Sequence, residues 1–309
     1  MNTTELKIRD AIKRTMSVSL LRPTDSFLSY SGILPVDLPE GTRILLIPDT
    51  HIPAHNRRLF WAVMQFAGVF KPHVNISIGD WSDIFGLSRH DKPLRAITSP
   101  QRELDESKRV WEELMYVTGA DQGFIILGNH EDRIYRFLQE FCPALGSMVM
   151  PHNREPLNFH SLMGFTPEDK TTFLYGVEER GGFEGGMVLN NDLNLHHGTF
   201  VRPNPGASAM ADMFRWQWNI GHGHTHRMGM TSVGDLRSYE FGHLVDRDHA
   251  YLAYAKKEFP NWAPGFAVAH VHNGKVHVQP IPIMPLADAN GHLKLSFVYD
   301  GQLFQESDR

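Results

Sequence analysis

Five short apolar runs lie along the chain, and a side chain of a metal-binding type follows each of them. The runs are rich in Ile, Leu and Val and are bounded by Gly, Pro or Asp, which is typical of short buried strands. They occupy residues 43–48, 74–78, 124–127, 193–195 and 218–220. Because sites in open α/β sheets assemble at the carboxyl ends of strands, the pattern predicts one shared site.

The segments between the first three runs have the periodicity of amphipathic helices. Apolar residues recur at helical spacing over 57–70, 100–118 and 131–141, which predicts alternating strands and helices. A further short helix is expected over 155–163. From residue 187 onward, turn signals such as Asn273-Gly274 separate short strands and favour antiparallel pairing. The expected class is therefore α/β with mixed sheets.

Composition narrows the possible classes of protein. The chain has 309 residues, of which 41% are hydrophobic and 21% charged, as in ordinary globular proteins. Its formal net charge of −5 argues against a strongly basic nucleic-acid-binding surface. The single cysteine, Cys142, excludes an intrachain disulfide and a zinc site built from thiolates. Without a long apolar segment, we expect no membrane partner and a cytoplasmic location.

The residues at the strand ends form a mixed set of nitrogen and oxygen donors. They comprise two carboxylates, one amide and four imidazoles, contributed by Asp49, Asp80, Asn129, His51, His197, His224 and His226. Alternate residues of an extended segment point the same way, so Asp49 and His51 can address one metal. The set is sufficient for two divalent ions. It suits manganese, which we favour, or iron, zinc, cobalt or nickel better than magnesium or calcium.

The order and spacing of these blocks resemble those of the calcineurin-like metallophosphoesterases. The resemblance covers roughly residues 41–283 and rests on five blocks: Asp49-x-His51, Gly79-Asp80-x-x-Asp83, Gly128-Asn129-His130-Glu131, His197-Gly198 and Gly223-His224-Thr225-His226. Pro48-Asp49-Thr50-His51-Ile52-Pro53 and Pro260-Asn261-Trp262 look most like the phage and prophage members. The resemblance implies a four-layer α/β/β/α sandwich of two mixed sheets flanked by helices.

The resemblance also implies roles for individual residues. One metal would be held by Asp49, His51, Asp80 and His226, and the other by Asp80, Asn129, His197 and His224. His130 would protonate the leaving group or steady the transition state. Apart from the resemblance, Asp83, which we group with His130 as catalytic, and Asp132 are candidates to hydrogen-bond a ligand histidine; the alternative is that each is solvated or caps a helix. His197 is preferred to its neighbour His196 because it directly precedes Gly198, although His196 stays an alternative. His222 is expected outside the ligand set.

Three segments are expected in the chain. Residues 1–40, with helical character over 4–16 followed by Pro23, Pro35 and Pro39, form an N-terminal extension. It either packs on the domain or serves as a partner-binding or dimerising arm. Residues 41–283 form the metallophosphoesterase domain, and residues 284–309 form a β-hairpin or tail packed on it. The oligomeric state is left open.

The choice of substrate depends on softer signals. Asp83 is followed by Ile84-Phe85 and His51 by Ile52, unlike the corresponding blocks of protein phosphatases in this superfamily. A phosphodiesterase or nuclease acting on DNA, RNA or nucleotides through a metal-bridging hydroxide is therefore the leading hypothesis. The alternatives are a phosphomonoesterase, a cyclic-nucleotide phosphodiesterase and a non-catalytic metal-binding scaffold. Three arginines near the ligand blocks are candidate phosphate contacts: Arg89, Arg133 and Arg202. If the chain is phage-encoded, we expect it in the host cytoplasm.

Overall fold

The strands predicted at the start of the chain form one side of a two-sheet core. The computed structural model describes residues 28–89, 99–151, 157–176, 185–255, 261–288 and 290–306, so the helix predicted over 4–16 lies outside it. Its strands, in chain order, are β1 Ser29–Ser31, β2 Ile33–Val36, β3 Arg43–Ile47, β4 Val74–Ser77, β5 Gln122–Ile126, β6 Thr171–Tyr175, β7 Gly186–Leu189, β8 Leu193–His196, β9 Asn219–His222, β10 Met228–Val233, β11 Leu236–Phe241, β12 Gly265–His272, β13 Lys275–Pro282, β14 Met284–Ala287, β15 Leu293–Tyr299 and β16 Gln302–Gln305.

The helices start and end where the sequence provides caps. They are α1 Arg57–Phe70, α2 Pro100–Thr118, α3 Asp132–Phe141, α4 Phe159–Met163 and α5 Ala207–Trp216. The Asn56 side chain accepts a hydrogen bond from the main-chain N–H of Leu59 and so caps α1. Pro100 opens α2, and Gly119 ends it in the left-handed conformation.

Three sheets contain all the named strands. The first has seven strands in the order β1-β6-β5-β4-β3-β12-β13, the second six in the order β10-β11-β9-β8-β7-β2, and the third is β14-β15-β16. Strands β3 to β6 are parallel, whereas β12 runs antiparallel to β3. In the second sheet β8, β9 and β11 are parallel and β7 is antiparallel to β8.

Alternation along β3 shows how the layers pack. Leu45 and Ile47 face α1 and α2, whereas Ile44 and Leu46 face the second sheet. On the outer face of the second sheet, Met213 of α5 packs against Ile220. The layers therefore run helices, sheet, sheet, helix, which confirms the predicted α/β class and four-layer order. Among the described residues, no helix is long and apolar enough to cross a membrane.

The chain segments on either side of the predicted domain contribute to this architecture. Strand β1 pairs with β6 of the first sheet, and β2 pairs with β7 of the second, so residues 29–36 add an edge strand to each. The third sheet packs on α1 through Phe297 and Phe304, whose rings lie 5.6 and 5.3 Å from that of Phe66. The domain boundaries at 40 and 283 stay predictions.

Phe66 is the side chain through which α1 contacts the third sheet, and its removal should be costly. It is 1% exposed and also packs against Phe266. We expect Phe66→Ala to lower the free energy of unfolding by about 3–5 kcal/mol, because it leaves a cavity in a dense aromatic cluster. Chemical denaturation checks this. Val69→Ala, on the exposed side of the same helix, is the control and should cost less than about 1 kcal/mol. Equal effects would contradict the packing described.

Candidate metal centre

The predicted ligands lie at the carboxyl ends of strands from both sheets. Asp49, Asp80 and Asn129 follow β3, β4 and β5 of the first sheet, and His197 and His224 follow β8 and β9 of the second. The two sheets meet here: the main-chain N–H of His224 donates to both carboxylate oxygens of Asp49, at 3.0 and 2.9 Å. The centre is therefore built across the seam between the sheets.

The described residues form three groups of donor atoms, of which two share the carboxylate of Asp80 and the third brings together His51, Asp83 and His130. The first group brings together Asp49, His51, Asp80 and His226, and the second brings together Asp80, His197 and His224, with donor atoms within 4.8 Å of one another in each group. Asn129 joins the second group, because its Oδ1 lies 3.2 Å from Nε2 of His197. The arrangement matches the division that the resemblance implies, while the individual ligand roles stay predictions.

The hydrogen bonds around two histidines leave lone pairs facing the centre. Nδ1 of His197 lies 2.9 Å from the carbonyl oxygen of Ile78, which can only accept, so Nδ1 carries the proton in the neutral ring. Nδ1 of His51 is 3.2 Å from a carboxylate oxygen of Asp83 and is fixed in the same way. In both neutral rings Nε2 is then a lone-pair donor, as a metal ligand requires.

Nitrogen and oxygen donors from several residues crowd together at the centre. Nε2 of His197 faces the acceptor Oδ1 of Asn129 at 3.2 Å and Oδ2 of Asp80 at 3.3 Å. Nε2 of His51 lies 3.0 Å from Nε2 of His226 and 3.5 Å from Oδ2 of Asp80. Although burial opposes it, the carboxylates of Asp80 and Asp49 raise the pKa of His197 to about 10. A proton on this ring thus supplies positive charge that a bound cation would replace, so the residues present fit a metal centre.

Electrostatics lead to the same conclusion. Burial raises the pKa of Asp49 to about 7, even though the ring of His197 opposes the shift, and the nearby carboxylate of Asp80 adds to the rise. Asp49 is fully buried and Asp80 is 2% exposed. Two carboxylates this close in the protein interior are costly to ionise together, and a cation between them would remove that cost.

The backbone is strained at four of the predicted ligands. His51, Asp80, His224 and His226 all have positive φ, at 53, 50, 64 and 55°. Non-glycine residues rarely adopt this conformation, which costs about 1–3 kcal/mol each and is concentrated at functional sites. These four side chains are therefore directed toward the centre by a backbone conformation that lowers the stability of the fold.

Asp83 and His130 lie beside the donor groups. Nδ1 of His130 is 3.2 Å from the carbonyl oxygen of Asp83 and 3.4 Å from its carboxylate. Burial alone would raise the pKa of Asp83, but His130, His51 and Arg133 lower it below its usual range. The ionised carboxylate thus orients two histidines, His51 and His130.

His130 is neutral near pH 7 in this environment. Burial, followed by the Arg133 guanidinium, lowers the pKa of His130 to about 4. Arg133 donates to Nε2 of His130 at 3.1 Å and to the carboxylate of Asp83 at 2.8 Å. In the neutral ring the single proton faces the Asp83 carbonyl and Nε2 accepts from Arg133, so either role that the resemblance implies for His130 requires a proton on Nε2.

The two alternative histidines point elsewhere. Nε2 of His196 lies 3.8 Å from a carboxylate oxygen of Asp212 on α5, and Nε2 of His222 lies 3.9 Å from the same oxygen. Their rings are neighbours, 5.5 Å apart. They belong to the interface with α5, whereas His197 faces the donor groups.

The three predicted substrate arginines lie in different places. Arg89 and Arg133 line one cavity of about 250 Å³ beside Asn129. Arg89 is exposed and forms an ion pair with Glu140. Arg202 is not among the lining residues of this cavity; its main-chain N–H donates to Ser208 and its carbonyl accepts from Arg227. The structure thus brings two of the three to the same side of the centre.

Two buried glutamates hold the loops in place, and sequence reasoning gave neither a role. Glu131 accepts hydrogen bonds from the main-chain N–H groups of Asp80, Ser82 and Gly128, at 3.1, 2.7 and 2.8 Å. In the second sheet, Glu240 accepts from three N–H groups at the start of α5 and from the Thr225 hydroxyl. The position of Glu131 directly after the Asn-His pair was the available signal.

The chain is similar in sequence to proteins of two mycobacteriophages. No family model matches the chain. The "Gene 54 protein" of Mycobacterium phage L5 is 28% identical over 256 residues, covering 78% of this chain and 94% of that protein. Its counterpart of the same name in Mycobacterium phage D29 is 27% identical, with the same coverage. Both relatives come from phages and neither name states an activity, so the phage-type resemblance stays a prediction.

Among solved structures, the chain is similar to Vps29 of Chaetomium thermophilum, with 10% identity, a TM-score of 0.42 and coverage of 86% of this chain and 100% of that one. It is also similar to Vps29 of Entamoeba histolytica complexed with Zn²⁺, with 12% identity, a TM-score of 0.38 and coverage of 86% and 97%. It is also similar to an archaeal phosphodiesterase, with 11% identity, a TM-score of 0.36 and coverage of 77% of this chain and 99% of that one. Each TM-score is below 0.5, so these structural similarities carry no inference about the function of this chain.

Close packing at Gly128 offers a test of the centre. A Cβ added there would overlap the carboxylate and main-chain nitrogen of Asp80. We expect Gly128→Ala to displace Asp80 and to weaken manganese binding by about 10–100-fold, the range seen when support around metal ligands is lost. Isothermal titration calorimetry measures this. Gly146→Ala, where the added methyl group meets open space, should bind as the wild type does. Unchanged binding in Gly128→Ala would mean that Asp80 is not a ligand.

Proposed function

We propose that the chain is a dinuclear metal-dependent phosphoester hydrolase that acts on phosphodiesters of nucleic acids or nucleotides. The observation that carries this proposal is the pair of donor groups that share Asp80. Paired divalent ions clamp the attacking and leaving oxygens of a phosphoryl group, and a shared carboxylate is the ligand that holds such a pair together. The mixed imidazole and carboxylate donors favour manganese, with iron, zinc, cobalt or nickel as alternatives.

The chemistry divides between the metals and the chain. When bound, the ions would supply Lewis acidity toward the phosphoryl oxygens and activate a water molecule for attack. Asp49, His51, Asp80 and His226 would hold one ion, and Asp80, Asn129, His197 and His224 the other. The rest depends on the protein's own side chains.

His130 and Arg133 form the part of the site that would contact the phosphoryl group. Nε2 of His130 lies 3.8 Å from Oδ2 of Asp80, so this atom is directed at the donor groups. The Arg133 guanidinium is anchored on Asp83 and adds a fixed positive charge next to it. Asp83 is the positioning residue for both. The Arg133 guanidinium is a fixed donor of the kind that stabilises charge developing in a transition state.

Two observations favour an enzyme that acts on phosphodiesters. The blocks that distinguish protein phosphatases are replaced here, and the relatives whose match covers 78% of the chain come from phages. A phage-encoded enzyme of this kind would act in the host cytoplasm. The alternatives are a phosphomonoesterase, a cyclic-nucleotide phosphodiesterase or a metal-binding scaffold without activity.

A substrate panel separates these alternatives. The full chain is assayed with manganese, zinc, cobalt and nickel on single- and double-stranded DNA, RNA, cyclic nucleotides, methyl p-nitrophenyl phosphate and p-nitrophenyl phosphate. Hydrolysis of diesters that depends on added metal is the expected result. Turnover of monoesters alone would overturn the diester proposal, and no turnover with any metal would favour the scaffold.

His130→Ala tests the role of the chain's own residues. We expect metal content to be unchanged and kcat for a diester to fall by about 10²–10⁴-fold, because a group that acts in the transition state is lost. Metal content is measured by mass spectrometry and kcat by release of nitrophenol. His292→Ala is the control, since the His292 side chain is 78% exposed. Undiminished hydrolysis in His130→Ala would remove His130 from the mechanism.

A further inference from the structure

Helix α3 exposes a pair of aromatic side chains next to the metal centre. Phe137 and Phe141 are 36% and 60% exposed. Their rings lie 5.2 Å apart with an interplanar angle of 41°. Apolar rings grouped on the surface at the mouth of a site are a common mark of ligand contact.

The two rings share a cavity with the metal centre. The cavity of about 250 Å³ that contains Arg89, Arg133 and Asn129 is also lined by Phe137, Phe141 and Arg136. Asn129 is a predicted ligand and precedes His130 in the chain. The aromatic pair and the predicted ligand Asn129 therefore line the same cavity.

The lining of this cavity concentrates guanidinium groups in a chain whose net charge is −5. Three arginines line it, and each pairs with one carboxylate: Arg89 with Glu140, Arg133 with Asp83 and Arg136 with Asp132. Arg136 is held by Asp132 at 2.7 Å and donates to the carbonyl of Asn129 at 2.7 Å. Asp132 is buried and does not line the cavity, so it positions the Arg136 guanidinium as a hydrogen-bond donor at the cavity wall.

Guanidinium groups that alternate with exposed aromatic rings are suited to binding nucleic acid. Phosphates bind to the guanidinium groups, and unpaired bases stack on the rings. A duplex would bury its bases from such rings, and a simple alkyl phosphodiester has nothing to stack. The same α3 positions, spaced three and four residues apart, fit an ordinary amphipathic helix in the sequence, which is why sequence reasoning did not single them out.

We propose that this face of α3 binds single-stranded nucleic acid. Bases stack on Phe137 and Phe141, Arg89 and Arg136 hold the flanking phosphates, and the adjoining phosphodiester is presented to the centre beside Asn129. This inference rests on the proposed function and specifies its substrate as a single strand. Phe137 and Phe141 are specificity-determining residues in this account.

The test is equilibrium binding of a fluorescein-labelled oligothymidylate to the full chain, measured by anisotropy in buffer without added divalent metal. We expect the Kd of Phe137→Ala/Phe141→Ala to be about tenfold or more above that of the wild type, because base stacking on aromatic rings is lost. Tyr116→Ala is the matched control, an aromatic side chain that is 88% exposed on α2 and outside the cavity. Its Kd should equal that of the wild type.

Two further readings complete the experiment. Arg89→Gln should reduce the slope of log Kd against log salt by about 0.7, the value for one phosphate contact on a single strand. The duplex form of the same oligonucleotide should bind more weakly than the single strand. Equal Kd values for the wild type and the double phenylalanine variant, or tighter binding of the duplex, would overturn the inference.

This outcome is separable from the proposed function. If the wild type hydrolyses methyl p-nitrophenyl phosphate with manganese but the phenylalanine variant binds the strand as tightly as the wild type, the enzyme stands and the single-strand surface is wrong. If the variant loses binding but the wild type hydrolyses no phosphoester, the surface stands and the hydrolase proposal falls.

Discussion

The carboxylate of Asp80 is the constraint on which the rest of the site depends. It lies between two groups of donors, one including Asp49 and His51 and the other including His197, and it is almost completely buried. Negative charge placed there is costly unless positive charge is placed with it. The rings of His197 and His51, whose pKa values are raised here, supply part of that charge. Divalent cations would supply the rest, so the buried negative charge and the arrangement of donor atoms both favour bound metal ions.

Holding these groups together requires both sheets. Main-chain bonds from His224 to Asp49 cross the seam, and Glu131 and Glu240 each collect several N–H groups from the loops on their own side. The left-handed conformations at His51, Asp80, His224 and His226 show that the loops are strained. Such strain persists only where surrounding structure over-determines it. The packed core between the two sheets holds the strands from which these loops start, and so provides that support. The stability of the fold and the positions of the predicted ligands therefore depend on the same packing.

Much of this was predictable from the sequence because it depends on local pattern. The helix over 57–70 has the bounds predicted for it, since Asn56 caps its start and Pro72 follows its end. The five strand ends predicted which donor residues lie close together, since period and flanking residues are local signals. The edge strands at 29–36, the clamp formed by Glu131 and the anchoring of Arg133 on Asp83 were not predicted. Each depends on a partner far away in the chain, which composition and spacing do not reveal.

The central claim is that Asp80 is shared by two metal ions, and metal counting tests it most directly. The wild-type chain and Asp80→Asn, a variant of nearly the same shape with one charge fewer, are loaded with manganese, desalted and analysed by mass spectrometry alongside a folding control by circular dichroism. We expect about two ions per wild-type chain, and fewer than one per chain in the folded variant, because a shared carboxylate supports both positions. An unchanged count of two in Asp80→Asn, or a single ion in the wild type, would contradict the account.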